Sequence, residues 1–287
     1  MMHVPVLRVQ ALEFLAVRPD GIYVDATFGG GGHAREILER LTSGRLIAID
    51  LDPSAHPKIS HPALSFVHDN FRNLQAILDE LGVAQIDGVL FDLGVSSMQF
   101  DLPERGFSFR EAGRIDMRMN PNASTSAYDI LSTATESELA DIFYQYGQER
   151  ASRRLAHAVV LRREAGTLPK TTTEFASFVS GVLHRAGRRE RVHPATRIFQ
   201  ALRIAVNDEL DSLREGLQAA ANRLRSTGRI VAISFHSLED RIVKNAFRDD
   251  RRLNVLTRKP VVPSNDEVAD NPRARSAKLR AAERKAG

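Results

Sequence analysis

The sequence predicts an α/β fold in which an open, mostly parallel sheet is interrupted by an all-helical insertion. In the first half of the chain, short apolar runs alternate with amphipathic stretches, which is typical of parallel strands joined by helices. Helices alone then follow one another before a further apolar strand run appears. The 287 residues exceed the usual size of one core, so an insertion or a second domain is expected.

Five apolar runs form the predicted sheet. The first four end in or beside an acidic or polar residue, and the carboxyl ends of parallel strands line the ligand crevice of an open α/β sheet. Two further short strands are expected near residues 253–258 and 276–280. The five runs are Gly21–Ala26, Arg45–Asp50, Leu64–His68, Asp87–Asp92 and Gly228–Ser234.

Helical patterns dominate the middle of the chain. Thr135 and Glu138 form a capping-box pair that predicts a helix start. A helical apolar period predicts one long helix over Pro194–Arg225, with the proline in its first turn. Ser237 is expected to cap a helix over 238–248. Other predicted helices cover 34–41, 151–164 and 173–185, and the predicted domains are a core in two parts, 1–105 and 207–287, around a helical, arginine-rich insertion, 106–206.

Composition excludes several kinds of chemistry. The chain has no cysteine, which removes disulfides, thiolate catalysis and cysteine-ligated metal sites. The histidines do not follow metal-ligand spacing, so we expect no catalytic metal. No stretch reaches the length of a membrane span, and no secretory signal pattern is recognised. We therefore expect a cytoplasmic protein that does not bind membranes.

The charge is unevenly distributed. The formal net charge is +4, yet residues 150–203 carry 12 basic and 3 acidic side chains. Arginine supplies 34 of the 40 cationic residues. Because arginine binds phosphate bidentately and stacks on bases, this composition favours a nucleic-acid partner. A genome rich in G and C, which encodes arginine often, explains the same bias equally well.

A glycine-rich turn, Thr27–His33, joins the first predicted strand to a helix. Its four glycines allow the backbone to approach a ligand that side chains would exclude. The spacing also satisfies the loose dinucleotide pattern, and a purely structural turn has similar glycines. NAD, S-adenosylmethionine and a structural turn are therefore almost equally compatible with this segment alone.

Acidic residues at successive strand ends favour S-adenosylmethionine. Asp50, at the second strand end, suits the ribose hydroxyls of either nucleotide. Asp25, beside the turn, would repel a pyrophosphate but suits the ammonium of a methionine moiety. Asp69 and Asp92 end the next two strands, and Phe71 is placed to pack against an adenine. A single strand-end aspartate is more often a cap or turn residue, so the inference depends on the four together.

Long motifs then indicate a family. The chain resembles ribosomal RNA small subunit methyltransferase H, the family of bacterial cytosine-N4 methyltransferases also called MraW, over nearly its whole length. The matching runs lie at 3–7, 20–33, 48–53, 91–97, 105–109, 116–119, 193–197, 234–241 and 271–276.

The resemblance implies a Rossmann-like class I S-adenosylmethionine-dependent methyltransferase sheet with an inserted all-helical domain. It implies methyl transfer from S-adenosylmethionine to the exocyclic N4 of a cytidine in the decoding region of 16S ribosomal RNA, with the small ribosomal subunit as partner. The sequence allows a homodimer without fixing the oligomeric state. The cofactor contacts implied by position are Gly31, Gly32, His33, Asp50, Phe71, Asp92 and Gln99.

The loops that follow the predicted strand ends also supply our hypothesis for the catalytic residues. The Asp/Asn-Pro-Pro-Tyr motif of many amino-methyltransferases is replaced here by 92–97, so we expect Asp92 to accept from the amine or orient the cofactor, with Ser96 and Ser97 assisting. His236 is a second candidate proton acceptor, although capping of the next helix by His236 and Ser237 explains it at least as well.

The RNA surface is expected on the insertion, where a solvated basic face is the simpler explanation. The candidate RNA contacts are Arg185, Arg188, Arg189, Arg191 and Arg197. Cytosine must leave its stack to reach a pocket, so a single-stranded or splayed target is expected. Three other functions stay open: a nicotinamide dehydrogenase, a DNA amino-methyltransferase, and a non-catalytic, nucleotide-regulated RNA-binding protein.

Overall fold

A computed structural model describes residues 5–57, 59–183 and 193–286. The chain forms two compact units. The first combines Met1–Gly94 with Leu210–Gly287, and the second is Val95–Glu209. Domain boundaries after residues 105 and 206 stay a prediction. Among the helices of the described residues, none is both long and apolar enough to cross a membrane.

The first unit contains a seven-stranded sheet in the order β3-β2-β1-β4-β5-β7-β6. The pairs from β3 to β5 are parallel, and β7 is antiparallel to both of its neighbours. All five strand runs and the weaker final pair are therefore confirmed. The strands are β1 Ile22–Asp25, β2 Arg45–Asp50, β3 Leu64–His68, β4 Ile86–Asp92, β5 Leu224–Ser234, β6 Leu253–Val255 and β7 Lys278–Arg284.

Helices surround this sheet or build the second unit. In chain order they are α1 Arg8–Leu15, α2 Gly32–Leu38, α3 Leu74–Glu80, α4 Ser97–Asp101, α5 Ala127–Thr133, α6 Glu136–Gln145, α7 Ser152–Glu164, α8 Thr172–Leu183, α9 Pro194–Asn207, α10 Glu209–Arg223, α11 Ser237–Asp249 and α12 Asn265–Asp270. The capping box of Thr135 and Glu138 starts α6, as the sequence predicts.

Apolar cores cover both faces of the sheet. Leucines of α3 and α10 and Phe247 of α11 form a buried cluster on one face. Side chains of α1 and α2 form a second buried cluster with the opposite face. The predicted doubly wound arrangement is thus present, and strands buried on both sides explain the continuous apolar runs. The second unit has its own core, built from α5 to α9 around Phe143 and Phe175.

The strand order predicts where the ligand crevice of the sheet lies. It reverses direction between β1 and β4, the neighbours at the centre of the sheet. In open α/β sheets, ligands bind outside the carboxyl ends of the strands at such a switch point. The ends of β1 and β4 are Asp25 and Asp92.

The prediction of one helix over Pro194–Arg225 is wrong. The helix is interrupted at Asp208, which adopts a left-handed conformation with φ 48° and ψ 44°. Aspartate tolerates this region better than most residues. Arg203, before the break, donates two hydrogen bonds of 2.8 Å to the carboxylate of Glu209, which follows the break. The apolar period continues across the break, so it did not reveal it, and residues 224–225 belong to β5.

Candidate functional site

The glycine-rich turn is fixed by hydrogen bonds to both strands that flank β1. Phe28 N donates to Ile49 O of β2, and Ala26 N donates to Leu90 O of β4, each at 2.9 Å. Gly31 has φ +73°, a conformation that side-chain-bearing residues rarely adopt. A Cβ on Gly32 would overlap the Pro5 ring. The backbone path of this turn therefore requires glycine at both positions.

Asp50 connects the end of β2 to the same turn. Its Oδ2 accepts from Gly29 N at 2.6 Å, and its Oδ1 accepts from Asp52 N at 2.8 Å. Burial raises the pKa of the Asp50 carboxyl, although the two backbone donors oppose this. A carboxylate oxygen can accept more than one hydrogen bond. Asp50 can therefore hold the turn and still accept from a ribose diol.

Three ionisable side chains form a buried cluster at the switch point. The exposed fraction is 1% for Asp25 and 5% for His33. His33 Nε2 lies 3.5 Å from Asp92 Oδ2. Asp25 Oδ2, Asp92 Oδ1 and both ring nitrogens of His33 are buried without a hydrogen-bond partner within the described structure. Buried polar atoms are nearly always satisfied in proteins, so these atoms indicate a site that suits a polar ligand.

Burial and neighbouring charges shift the pKa values of two members of the cluster, Asp25 and His33. Burial raises the pKa of the Asp25 carboxyl from its ordinary 3.8 to about 7, despite the opposing influence of His33 and of a hydrogen bond from Thr27 N. Burial alone would lower the pKa of His33, but the Asp92 and Asp25 carboxylates outweigh it and raise that pKa. An incoming cation would therefore favour the charged form of Asp25.

Asp92 is held by its backbone and leaves its carboxylate available. Asp92 N donates to Thr27 Oγ1 at 2.7 Å, and the next amide, Leu93 N, donates to Ile233 O of β5 at 2.9 Å. Thr27 was not singled out from the sequence. Its place two residues after a strand-end aspartate, inside the turn, is the signal that could have found it.

The residues at this edge fit S-adenosylmethionine. Asp25 offers an unsatisfied acceptor for an ammonium group, and Asp50 offers acceptors for ribose hydroxyls. Gly30 is exposed, and an added Cβ there would have no atom within 4 Å, so its backbone faces open space. A dinucleotide would place its pyrophosphate next to the Asp25 and Asp92 carboxylates, which makes it the poorer fit.

The third strand end is mainly structural. Asp69 Oδ1 accepts from Asn70 N at 2.6 Å and from Asn73 Nδ2 at 2.9 Å, which closes a local turn. Phe71 is half-buried, and its ring meets that of Phe91 edge to face at 5.5 Å. Phe71 therefore keeps a partly accessible ring beside the sheet, as an adenine contact requires. Its contact with cofactor stays a prediction.

Ser96 and Gln99 belong to the second unit and cap α4. Ser96 Oγ accepts from Gln99 N at 3.2 Å, and Gln99 Oε1 accepts from Ser96 N at 3.0 Å. Both side chains therefore have a structural function, which the Ser-x-x-Gln spacing could have predicted. The side chain of Ser97 lies outside the described part. The catalytic and cofactor roles of all three residues stay predictions.

His236, not Ser237, caps the helix after β5, which corrects the sequence prediction for Ser237. Glu239 N donates to His236 Nδ1 at 3.4 Å, while the Glu239 carboxylate accepts from Phe235 N at 2.8 Å and from His236 N at 3.2 Å. Glu239 is 2% exposed and was missed from the sequence. The capping geometry explains His236 structurally, and its role as proton acceptor stays a prediction.

The predicted RNA contacts lie almost entirely outside the described residues. This holds for Arg185, Arg188, Arg189 and Arg191. Arg197 is exposed on the first turn of α9. The structure therefore leaves the arginine cluster as a sequence-based prediction.

The sheet order and the carboxylates at its switch point define an S-adenosylmethionine-dependent methyltransferase with a Rossmann-like sheet of class I. The chain belongs to the MraW methylase family, whose sequence model matches residues 1–285. The predicted family and fold class are confirmed.

Curated relatives span nearly the same length. The ribosomal RNA small subunit methyltransferase H of Thermomicrobium roseum is 47% identical, over 98% of this chain and 93% of that protein. The protein of the same name from Trichormus variabilis is 49% identical, over 99% of this chain and 92% of its own. That from Carboxydothermus hydrogenoformans is 46% identical, over 98% of this chain and 97% of its own.

Proposed function

We propose that this protein transfers a methyl group from S-adenosylmethionine to the exocyclic N4 of a cytidine in the decoding region of 16S ribosomal RNA. The observation that carries the proposal is the buried group of Asp25, His33 and Asp92, whose unsatisfied atoms lie at the switch point of the sheet. The relatives named ribosomal RNA small subunit methyltransferase H support the choice of substrate.

The chemistry requires an oriented amine. The lone pair of the cytosine amine is delocalised into the ring, so the nitrogen becomes nucleophilic only when it is driven towards tetrahedral geometry. S-adenosylmethionine supplies the electrophilic methyl group when bound. Asp92 Oδ1 accepts a hydrogen of the amine, and His33 Nε2 lies 3.5 Å from Asp92 Oδ2, where a protonated imidazole would attract the carboxylate. Positioning and electrostatics then supply most of the rate acceleration.

The substrate is tested with small subunits from a strain that lacks this gene. The subunits are incubated with the purified protein and labelled S-adenosylmethionine, and the modified base is mapped by mass spectrometry. We expect one N4-methylated cytidine. Label in DNA alone would favour a DNA amino-methyltransferase, and cofactor binding without any S-adenosylhomocysteine would favour a non-catalytic RNA-binding protein. Thermal protection by NAD, without protection by S-adenosylmethionine, would favour a dehydrogenase.

The role of Asp92 is tested by Asp92→Asn under single-turnover conditions with saturating cofactor. Asn keeps the size and the backbone bond to Thr27 but removes the charge. We expect the rate to fall by about a hundredfold, the usual effect of one positioned acid-base group. Asp69→Asn is the matched control, because Asp69 closes only a local turn. A full rate in Asp92→Asn would show that Asp92 is not catalytic.

RNA binding by the insertion is tested by changing Arg185, Arg188, Arg189 and Arg191 to Gln. Weaker binding of small subunits, with a smaller salt dependence, would support the cluster as a phosphate-binding surface. Unchanged affinity would favour a solvated basic face. A ribosomal substrate also implies a cytoplasmic protein, and a homodimer stays a prediction that sedimentation equilibrium can test.

A further inference from the structure

Three exposed cations of the first unit stand apart from the ion pairs around them. Arg72 and Glu215 form a bidentate pair, and Arg229 and Glu283 are joined at 2.8 Å. By contrast, several exposed cations have no carboxylate partner among the described residues, and three of these lie at one edge of the sheet. We call them the basic rim, and they are Arg258, Lys259 and Arg275.

Two rim cations lie in a bulge that is fixed on both sides. Thr257 Oγ1 accepts from Ala281 N of β7 at 2.9 Å, and Val261 N donates to Leu279 O at 2.9 Å. Between these two pairings β7 contains one residue, whereas the facing segment contains three, 258–260. The extra residues must bulge away from the sheet. Arg258 and Lys259 are therefore displayed from a segment whose ends cannot move freely.

The third rim cation is displayed by a 3₁₀ turn, Pro272–Ser276. Asn271 Oδ1 accepts from Arg273 N at 3.2 Å and caps this turn. Ala274 and Ala277, on either side of Arg275, are 0% and 1% exposed. Arg275 thus projects to solvent from a backbone that is anchored in the core.

The rim lies at the same edge of the sheet as the candidate cofactor site. Since β7 is antiparallel to β5, its first residue, Lys278, pairs with Ser234 at the carboxyl end of β5. Arg275 precedes that residue by one turn. The bulge follows the carboxyl end of β6, which has the same direction as β5 because both are antiparallel to β7. The carboxyl edge also carries Asp92, at the end of β4.

Next to the rim, two further cations share a single carboxylate. On β7, both Lys278 Nζ and Arg280 Nε contact one carboxylate, Asp240, at 3.4 Å and 2.6 Å. That group of three keeps a net positive charge. Arginines held on a fixed backbone lose little entropy when they bind, and the guanidinium matches phosphate geometry.

We propose that the basic rim binds backbone phosphates of the RNA substrate next to the site of methyl transfer. This inference rests on the proposed function, because it requires an RNA substrate at this edge. It assigns part of RNA binding to the methyltransferase unit itself, in addition to the arginine cluster predicted on the insertion.

The test is the salt dependence of RNA binding by the full chain. Fluorescence anisotropy measures the dissociation constant for a labelled single-stranded RNA that contains cytidine, over a series of salt concentrations. Each phosphate contact contributes about 0.7 to the slope of log K against log salt for single strands. Changing Arg258, Lys259 and Arg275 to Gln should lower the slope by about 2. If the variant and the wild type bind equally at 1 M salt, this change in slope corresponds to a roughly fiftyfold lower affinity of the variant at 0.15 M salt.

A matched control removes three positive charges from the opposite edge of the sheet. Arg248 lies in the last turn of α11, Arg251 precedes β6, and Lys285 follows β7, so all three lie at the amino edge. Their triple change to Gln should leave the slope nearly unchanged. Equal losses in both triple variants would show an effect of net charge and would overturn the proposal, as would an unchanged slope in the rim variant.

Folding and the proposed function are checked separately. Binding of S-adenosylmethionine, followed by thermal shift, reports whether the rim variant is folded. If it is not, Arg258→Gln and Arg275→Gln alone should each lower the slope by about 0.7, and no change in either would refute the rim. If the wild type fails to methylate small subunits, the proposed function fails, whatever the slopes show.

Discussion

The buried carboxyl of Asp25 should make the sheet unit less stable at higher pH when no cofactor is bound. Its pKa rises from 3.8 in an exposed group to about 7 in the fold. The folded state holds the proton of Asp25 more tightly than the unfolded state does. The resulting stabilisation is fully present below pH 3.8 and is lost as the pH rises through about 7. The raised pKa of His33 acts in the same direction.

The expected magnitude follows from linkage. Ionisation of Asp25 should destabilise the fold by roughly 2 kcal/mol at pH 5 and by about 4 kcal/mol at pH 8. Asp25→Asn removes this effect and keeps an oxygen to accept from Thr27 N, which now donates at 3.2 Å. The variant should therefore gain stability over the wild type, and the gain should be larger at pH 8 by about 2–3 kcal/mol.

The measurement is urea unfolding of the cofactor-free protein at both pH values. Hydrogen exchange of the β1 amides, Ile22–Asp25, reports unfolding of the sheet rather than of the second unit. Asp20→Asn is the matched control, because Asp20 is exposed and the same change should stay within about 0.5 kcal/mol at either pH. An equal gain for Asp25→Asn at pH 5 and pH 8 would refute the reasoning.

Three further predictions concern the turn, the ribose carboxylate and the α4 cap. Gly32→Ala should cost about 1–3 kcal/mol in thermal unfolding through overlap with Pro5, whereas Gly30→Ala, which meets open space, should cost less than half as much; equal costs would contradict the packing argument. Asp50→Asn should weaken cofactor binding by calorimetry at least tenfold, the loss of a charged hydrogen bond, and an unchanged affinity would exclude it from the site. Ser96→Ala should cost about 1 kcal/mol and Ser96→Asp much less, since Asp also caps helices; if Ser96→Asp nonetheless abolished methyl transfer, the hydroxyl would have a catalytic role.

Sequence periodicity predicted the sheet because its strands are buried on both sides. The residues between Asp87 and Asp92 form a continuous run without polar side chains, and the structure buries every residue of β4 except the last. The same kind of evidence failed at Asp208. A helix and a helix pair separated by one left-handed residue present the same apolar spacing, and the backbone conformation of Asp208 distinguishes them.

The position of the candidate site was predictable from the sequence, but the hydrogen bonds within it were not. Strand-end spacing located Asp25, Asp50 and Asp92 at one edge. It could not show that Asp50 is bonded to Gly29 N, because that contact joins residues from different strand-helix connections. Nor could it show that Glu239 is buried under the loop after β5, since a carboxylate three residues after a cap is usually exposed on a helix.

The neighbours β4 and β5 are adjacent in the sheet, yet the entire second unit is encoded between them. During synthesis, β1 to β4 emerge first, and β4 has no partner on one side until the insertion has been translated. At ordinary elongation rates this interval is roughly 10 s. Throughout it, Ile86–Asp92 presents an apolar strand with unpaired backbone groups, the kind of edge that recruits other nascent chains. An insertion encoded between two adjacent strands therefore makes the newly synthesised chain dependent on protection until β5 arrives.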